Sequence, residues 1–422
     1  MPVSTKELKI NQEFKNLIPP LTKEEYKGLE KSLLEEGCRD ALVTWNGTIV
    51  DGHNRYELCQ KHGIDFDVIE KEFENEEEAK VWIIDNQNAR RNLTDGWKFE
   101  LKQTRKKILS EKGKENQGIR TDLLSKTDKK LNINKVRNHN TQKEIAKELG
   151  WSTGKVAQAD VVWKKGPEEI KEKVKAGDMS INEAYRKVRI MNKKEKNIED
   201  EQKSVQSNKP EIYEESYKRF LKRFEEKNVD LIITDPPFMT DVDNIYNFVN
   251  QWLPKALKKL KDSGKAYIFT GAYPEELHAY LGVLLNQKRF VISNVLVWTY
   301  KNLIGTQTKK SYRTNWQAIF YLYGKSADDL HTNSMLEKFA VKEINAPDGR
   351  QGNRYFKWQK PNELAAQLIK HSTKESQLVI DPFAGSGTFL IEAAKLGRVA
   401  KGSEINKEVI DIAVQRGCEK CF

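Results

Sequence analysis

The sequence predicts an α/β fold for the carboxyl-terminal half of the chain, preceded by a small α+β domain and an all-α domain. Three observations carry that prediction. Apolar runs at Val229–Thr234, 265–269, 291–298, 318–323 and 377–380 alternate with helical stretches, the pattern of a parallel or mixed sheet covered by helices. Near the start, Ala41-Leu-Val-Thr-Trp45, then Asn46-Gly47, then Thr48-Ile-Val50 is a hairpin signal, because Asn-Gly suits a tight turn with positive φ. Residues 141–190 read as consecutive short helices.

At roughly 150 residues per domain, 422 residues predict two to four domains. The boundaries are expected at 1–95 for the α+β domain, 96–191 for the helical domain, 192–210 for a linker and 211–422 for the α/β domain. The stretch 192–210 is almost wholly polar and ends in Pro210, and 105–140 is rich in Lys, Asn and Gly, so both read as linkers.

Composition narrows the class. Aliphatic, aromatic and Cys residues make up 38% of the chain and charged residues 32%, and the mean hydropathy is −0.74. No apolar run approaches the ~20 residues that span a bilayer, so no membrane partner is expected. The first ten residues carry no signal-peptide core, and a cytoplasmic location is expected. Four Cys are too few for a disulfide scaffold. Cys418-Glu-Lys-Cys421 lacks the second pair that a zinc site needs, so the two are read as free thiols and no metal is expected. The net charge of +11 suits a polyanionic partner.

Two motifs in the α/β half carry chemistry. In the first, the apolar strand Val229–Thr234 runs into Asp235-Pro236-Pro237-Phe238. The acid sits where open α/β sheets place their sites, at the carboxyl end of a buried strand. The prolines stiffen the turn and lack N–H donors, leaving nearby carbonyls free to accept. Phe238 offers a face for stacking. The second motif is Leu378-Val-Ile-Asp381-Pro-Phe383-Ala-Gly385-Ser-Gly387-Thr388, followed by a helix and then by a strand that ends at Glu404. A strand, a Gly-rich turn and a helix make a cradle that a ligand can approach closely. An acid at the end of the next strand typically holds ribose hydroxyls.

Together these residues resemble the amino-methylating DNA methyltransferases of the beta class, over roughly 211–418. The resemblance implies a Rossmann-like, S-adenosylmethionine-dependent methyltransferase domain. It makes Asp235, Pro236, Pro237 and Phe238 the catalytic motif. It makes Asp381, Phe383, Gly385, Gly387, Thr388 and Glu404 the cofactor site, with Lys360 and Pro361 flanking the cofactor's methionine end. An acid at 235 resembles the adenine-N6 enzymes, whereas the cytosine-N4 enzymes more often carry Ser there. The resemblance also makes DNA the substrate and a homodimer an expectation. The chemistry agrees. An exocyclic amine is a poor nucleophile because its lone pair is delocalised, and acceptors on both amino protons, the Asp235 carboxylate and the Pro236 carbonyl, free that lone pair. The target base must leave the duplex to be reached, and Phe238 is placed to stack on it.

Two features depart from the family. Trp316 and Gln317 stand where His and Glu are commoner, and no role is carried onto them. Only about 30 residues, 326–355, separate that segment from the cofactor half, which is short for a recognition insert and points to the amino-terminal blocks for specificity. Lys309, Lys310 and Arg313 are candidate DNA contacts.

Val50-Asp51-Gly52-His53-Asn54-Arg55-Tyr56 before a helix resembles the signature of ParB-like domains, of the partition-protein and sulfiredoxin superfamily, and Asn86-x-Asn88-x-Arg90-Arg91 fits the same family. A Gly followed by an Arg at a helix start suits phosphate, and the family includes nucleotide-binding members. Gly52, His53 and Arg55 therefore make a candidate phosphate or nucleotide site, with a turn-stabilising role the first reading of His53. Residues 141–163 fit a helix-turn-helix: Ile145, Ala146 and Leu149 line one face, Gly150 allows the turn, and Ser152 or Thr153 caps a second helix bearing Thr153, Lys155 and Gln158 as groove contacts. The reading is therefore a ParB-like α+β domain, an all-α helix-turn-helix domain and an adenine-N6 DNA methyltransferase. The rivals are a cytosine-N4 or RNA methyltransferase, and a nucleotide-gated DNA-binding protein with an inactive methyltransferase half.

Overall fold

A computed structural model describes residues 7–90, 93–115, 141–302, 310 and 312–422. The chain forms two compact units that meet between Arg189 and Ile190. Among the described residues no helix is long and apolar enough to cross a membrane.

In the first unit, α1 (Gln12–Asn16) and α2 (Lys23–Glu36) precede the hairpin β1 (Leu42–Trp45) and β2 (Thr48–Asp51), then α3 (His53–His62), β3 (Val68–Glu70) and α4 (Glu76–Arg90). Asn46 and Gly47 both take positive φ (49° and 75°), as the sequence requires of this turn. The sheet order is β2-β1-β3, antiparallel within the hairpin and parallel to β3. Helices α5 (Asp95–Glu115), α6 (Thr141–Leu149), α7 (Thr153–Lys165) and α8 (Glu168–Ala176) follow. Their core gathers Phe99, Ile145, Ala146, Val156, Ala159, Val162 and Val174. A cluster of Ile84, Leu93, Leu101 and Ile108 crosses residue 95, so α4 and α5 share a core where a domain boundary was expected.

Where the structure describes them, the expected linkers are mostly helical. Residues 105–115 continue α5, and 116–140 lie outside the described residues. The polar stretch from 192 is helical as far as Ser204, within α9 (Ile181–Ser204). Its Lys, Glu and Gln residues are good helix formers and no Gly or Pro intervenes before Pro210. Glu183–Lys187 and Glu199–Lys203 pairs four residues apart support it. Its carboxyl end is part of the second unit's core through Glu201, 7% exposed, and Val205, 1% exposed just beyond it.

The second unit adds β4 (Glu211–Glu214), α10 (Tyr217–Phe220), β5 (Val229–Thr234), α11 (Ile245–Lys259), β6 (Leu260–Thr270), α12 (Pro274–Asn286), β7 (Phe290–Thr299), β8 (Trp316–Gly324) and β9 (Val341–Glu343). It closes with α13 (Asn362–Ser372), β10 (Leu378–Asp381), α14 (Thr388–Lys395), β11 (Val399–Glu404), α15 (Lys407–Arg416) and β12 (Glu419–Cys421). Among the described residues nine strands form one mixed sheet in the order β12-β4-β11-β10-β5-β6-β8-β7-β9, with only β8 antiparallel to its neighbours. Every residue of β5 is buried, which explains its unbroken apolar run: both faces are covered. Trp252, Leu253, Tyr280 and Leu284 of α11 and α12 pack in one cluster. Leu364, Leu368, Phe389, Leu390 and Ile410 of α13 to α15 pack in the other.

Candidate functional site

The parallel neighbours β5 and β10 (Leu231 beside Val379, Ile232 beside Ile380) lie at the centre of this sheet. From β5 the chain passes through α11 to β6 on one side; from β10 it passes through α14 to β11 on the other. That reversal opens a crevice beyond the two carboxyl ends. Asp235, Pro236, Pro237 and Phe238 leave β5 into it, and Asp381, Phe383 and Gly385 leave β10. With Lys360, Thr388 and Glu404 they line one cavity of about 520 Å³, within the usual range for a small-molecule site.

The two acids are placed differently. Asp381 is 1% exposed, and its Oδ1 accepts from the Thr234 hydroxyl at 2.6 Å and the Phe383 N–H at 3.0 Å. Its Oδ2 is buried without a partner. Burial raises this carboxyl to about 7, against the pull of those two donors. Asp235 Oδ2 accepts from the Lys360 ammonium, whose side chain is 4% exposed, while Oδ1 is buried and unpartnered. Burial pushes the Asp235 carboxyl up; Lys360 opposes that and Asp241 adds to it. Glu404 Oε1 accepts from the Ile405 and Asn406 N–H groups at 2.8 and 2.9 Å, and Oε2 from the Gly385 N–H at 3.1 Å. The acid at the end of β11 is thus fixed against the Gly-rich turn.

The two glycines of that turn do separate work. Gly385 has φ +52° and nothing within 4 Å of where a Cβ would stand, on a lining position of the cavity. Gly387 has φ +78°, and a Cβ there would lie 2.9 Å from Cys418 Sγ and 3.2 Å from Ala413 Cβ. It lets the turn pack on α15 and is not among the lining residues. Pro361 is the N-cap of α13 and does not line the cavity either. Phe383 lines it from within an aromatic cluster, with ring centroids 5.3 Å from Tyr217, 5.7 Å from Phe248 and 5.2 Å from Trp252. Tyr217, Phe248 and the 56%-exposed Trp358 also line the cavity and were not anticipated. Lys360, expected to flank the cofactor's methionine end, lines the cavity and is the ion-pair partner of Asp235.

None of the remaining candidates among the described residues lines this cavity. Thr153 is exposed and Gln158 half-buried on α7, while Lys155 pairs with Asp95 and lies 4.2 Å over the Trp151 ring. Lys310 and Arg313 are exposed; Lys309 and Arg91 lie outside the described residues. Gly52 has φ +97° at the start of α3, and Arg55 donates to the Asp51 carboxylate at 3.2 Å and the Asp40 carbonyl at 2.9 Å. His53 is 3% exposed, with both ring nitrogens unpartnered, and lines a cavity of about 630 Å³ with Lys15, Tyr26, Asn54 and Lys175. Gly52 and Arg55 are not among that cavity's lining residues.

Known proteins resemble the half that holds the first cavity. A family model described as DNA methylase, of the N6/N4 type, matches residues 229–415. The Type II methyltransferase M.HpaI of Haemophilus parainfluenzae is 30% identical over 224 residues, which are 46% of this chain and 70% of that protein. The chain belongs to the N6/N4 DNA methylase family. S-adenosylmethionine is that family's methyl donor. Among solved structures, the M1.HpyAVI–SAM complex is 23% identical with a TM-score of 0.41, covering 49% of the methylase and 98% of that chain. A Pnob8-like ParB-N domain is 21% identical with a TM-score of 0.33, covering 48% of the methylase and 82% of that chain.

Proposed function

We propose that this methylase transfers a methyl group to the exocyclic N6 amino group of adenine in DNA. The observation that carries the proposal is the Asp235 carboxylate, whose unpartnered Oδ1 shares one cavity with Gly385 and Glu404. The cavity fits S-adenosylmethionine on three counts: the buried orphan oxygen Asp381 Oδ2, the open space over Gly385, and the fixed acid Glu404. Asp381, Phe383, Gly385, Thr388 and Glu404 would hold it, with Gly387 shaping the loop from behind. When bound, the cofactor supplies an electrophilic methyl on a sulfonium sulfur. Asp235 Oδ1 and the Pro236 carbonyl accept hydrogen bonds from the two amino N–H groups of the target base, so its nitrogen regains a localised lone pair; on methylation the nitrogen gives up one of those protons. Lys360 orients the Asp235 carboxylate and favours its ionised form. Phe238, half-buried at the cavity wall, supplies a stacking face for the flipped base. An acid at 235 supports adenine over cytosine. Labelled methyl transfer to unmethylated DNA, scored by nucleoside, is the test.

Two results follow from these placements. Phe238→Ala removes a stacking face worth about 1–3 kcal/mol per base and leaves both acceptors in place. Its single-turnover rate at saturating cofactor should fall while remaining measurable, with the loss recovered in part at high DNA concentration. Cofactor affinity should depend on pH through Asp381. Because burial raises that carboxyl to about 7, it is neutral below that pH and ionised above it, and a cationic ligand favours the ionised form. Calorimetric affinity should strengthen about tenfold between about pH 6 and pH 8, and Asp381→Asn should flatten that rise.

We further propose that α6 and α7 read DNA and that the ParB-like part takes a nucleotide or phosphate. The three-residue turn at Gly150, with φ +68°, and the Ser152 cap on the Lys155 N–H support the first. Thr153→Glu with Gln158→Glu should weaken DNA binding about tenfold or more at low salt and leave cofactor affinity unchanged. His53, with two unpartnered nitrogens in a cavity flanked by lysines, supports the second. Burial and Lys15 lower this imidazole to about 4, so it stays neutral near pH 7. Titration with nucleoside triphosphates, comparing His53→Ala, tests it.

A further inference from the structure

We propose that Glu201 and Arg416 are positioning residues for the cofactor loop, so that affinity for S-adenosylmethionine depends on an acid in the connecting helix α9. The proposal rests on the cofactor site assigned above.

Arg416 is the last residue of α15 and is wholly buried. Its Nε and Nη2 donate to the two carboxylate oxygens of Glu201 at 2.9 and 3.0 Å. Its Nη1 donates to the Ser386 carbonyl at 2.8 Å and the Thr388 hydroxyl at 2.9 Å, both in the Gly-rich turn. The Tyr355 ring covers the guanidinium, its centroid 4.6 Å away. Glu201 Oε1 also accepts from the Asn362 side chain at 2.9 Å, just after Lys360-Pro361, and Asn362 reaches Glu392 of α14 at 2.9 Å.

Taking two charges out of water is costly, and a buried ion pair seldom adds net stability over apolar packing. What this one adds is direction. The planar guanidinium presents donors in a fixed fork: one edge is locked by Glu201 and the other grips the loop. That loop turns on Gly385 and Gly387 at φ +52° and +78°, where glycine tolerates many conformations. A grip on Ser386 and Thr388, the residues between and just after them, selects one. Without Glu201 the guanidinium loses its bidentate anchor and the loop samples others.

The test uses the full chain and S-adenosylmethionine as the probe. For Glu201→Gln, the calorimetric Kd should rise about tenfold to a hundredfold, the loss expected for one charge-assisted contact. The KM for DNA and kcat at saturating cofactor should stay within about twofold, and amide exchange should quicken in 384–389. A merely structural pair would lower the active fraction and the melting temperature without moving the Kd of the folded protein. Arg416→Lys, which keeps the charge and loses the fork, should raise the Kd as well. It carries the test if Glu201→Gln does not fold. Glu199→Gln, on the exposed side of the same helix, should change nothing. An unchanged Kd in folded Glu201→Gln or Arg416→Lys overturns the proposal. Failure of the unaltered protein to bind the cofactor overturns the site assignment instead.

Discussion

Asp235→Ala should eliminate measurable methyl transfer while cofactor affinity changes only a few-fold. On the mechanism proposed above, the carboxylate accepts a hydrogen bond from the target amine that strengthens as the nitrogen becomes tetrahedral, so its loss lowers turnover more than ground-state binding. Removing one well-placed electrostatic partner costs on the order of 3–4 kcal/mol, or two to three decades in rate. The substitution also strands the Lys360 ammonium, 4% exposed and paired with Asp235 alone among the carboxylates of the described residues, which adds a penalty for a buried charge. Single-turnover rates with saturating cofactor measure the effect. The pH profile supplies an independent check. The ionised carboxylate is the stronger acceptor, as charge-assisted hydrogen bonds are roughly twice as strong as neutral ones, and burial pushes its pKa up, so the rate should fall with acidification at a pH above the ordinary carboxylate range. Lys360 opposes that shift. Lys360→Met should therefore move the acid limb further towards alkaline pH, whereas a Lys360 that only supported the cofactor would leave the limb in place.

Gly385→Asp should abolish detectable cofactor binding, a loss of more than about a hundredfold. Two costs combine. A non-glycine residue at φ +52° is strained by roughly 1–2 kcal/mol, and the new side chain enters the open space over the turn, where the ligand is to lie. A carboxylate there also faces Glu404, whose Oε2 accepts from the same residue's N–H. Gly387→Ala should behave differently. Its Cβ meets Cys418 Sγ at 2.9 Å, so overpacking against α15 should lower the melting temperature, with overpacking typically costing about 1–3 kcal/mol. Cofactor affinity should fall much less than at Gly385. Calorimetric titration beside thermal unfolding of both variants separates the two glycines.

That contrast shows where the sequence was legible and where it was not. Asp235, Asp381, Gly385 and Glu404 could be read because each sits in a contiguous strand-then-turn pattern, and a strand's end fixes where its next residue points. Gly385 and Gly387 look alike in sequence, and only the helix behind the turn distinguishes them. Lys360 was found as part of its segment, but its ion-pair partner lies 125 positions earlier, and no local pattern records such a meeting. Glu201 and Arg416 are 215 positions apart, and Glu201 sits in a polar run whose composition reads as a linker. Composition measures how much apolar surface a segment offers; α9 offers little, yet its helix formers and a buried acid still place its end in the core. The strands β4, β9 and β12 escaped because three or four residues are too few to show an alternation. Tyr217, which follows β4 into the cavity, escaped with it.

The most direct test of the central claim is the product itself. The 422-residue chain is incubated with unmethylated genomic DNA and S-adenosylmethionine labelled on its methyl group, and the DNA is digested to nucleosides and resolved. The label should appear in N6-methyladenine, and Asp235→Ala should leave none. Label in N4-methylcytosine would contradict the base assignment, and no label in any nucleoside, from protein that binds the cofactor, would contradict methyl transfer to DNA as this chain's reaction.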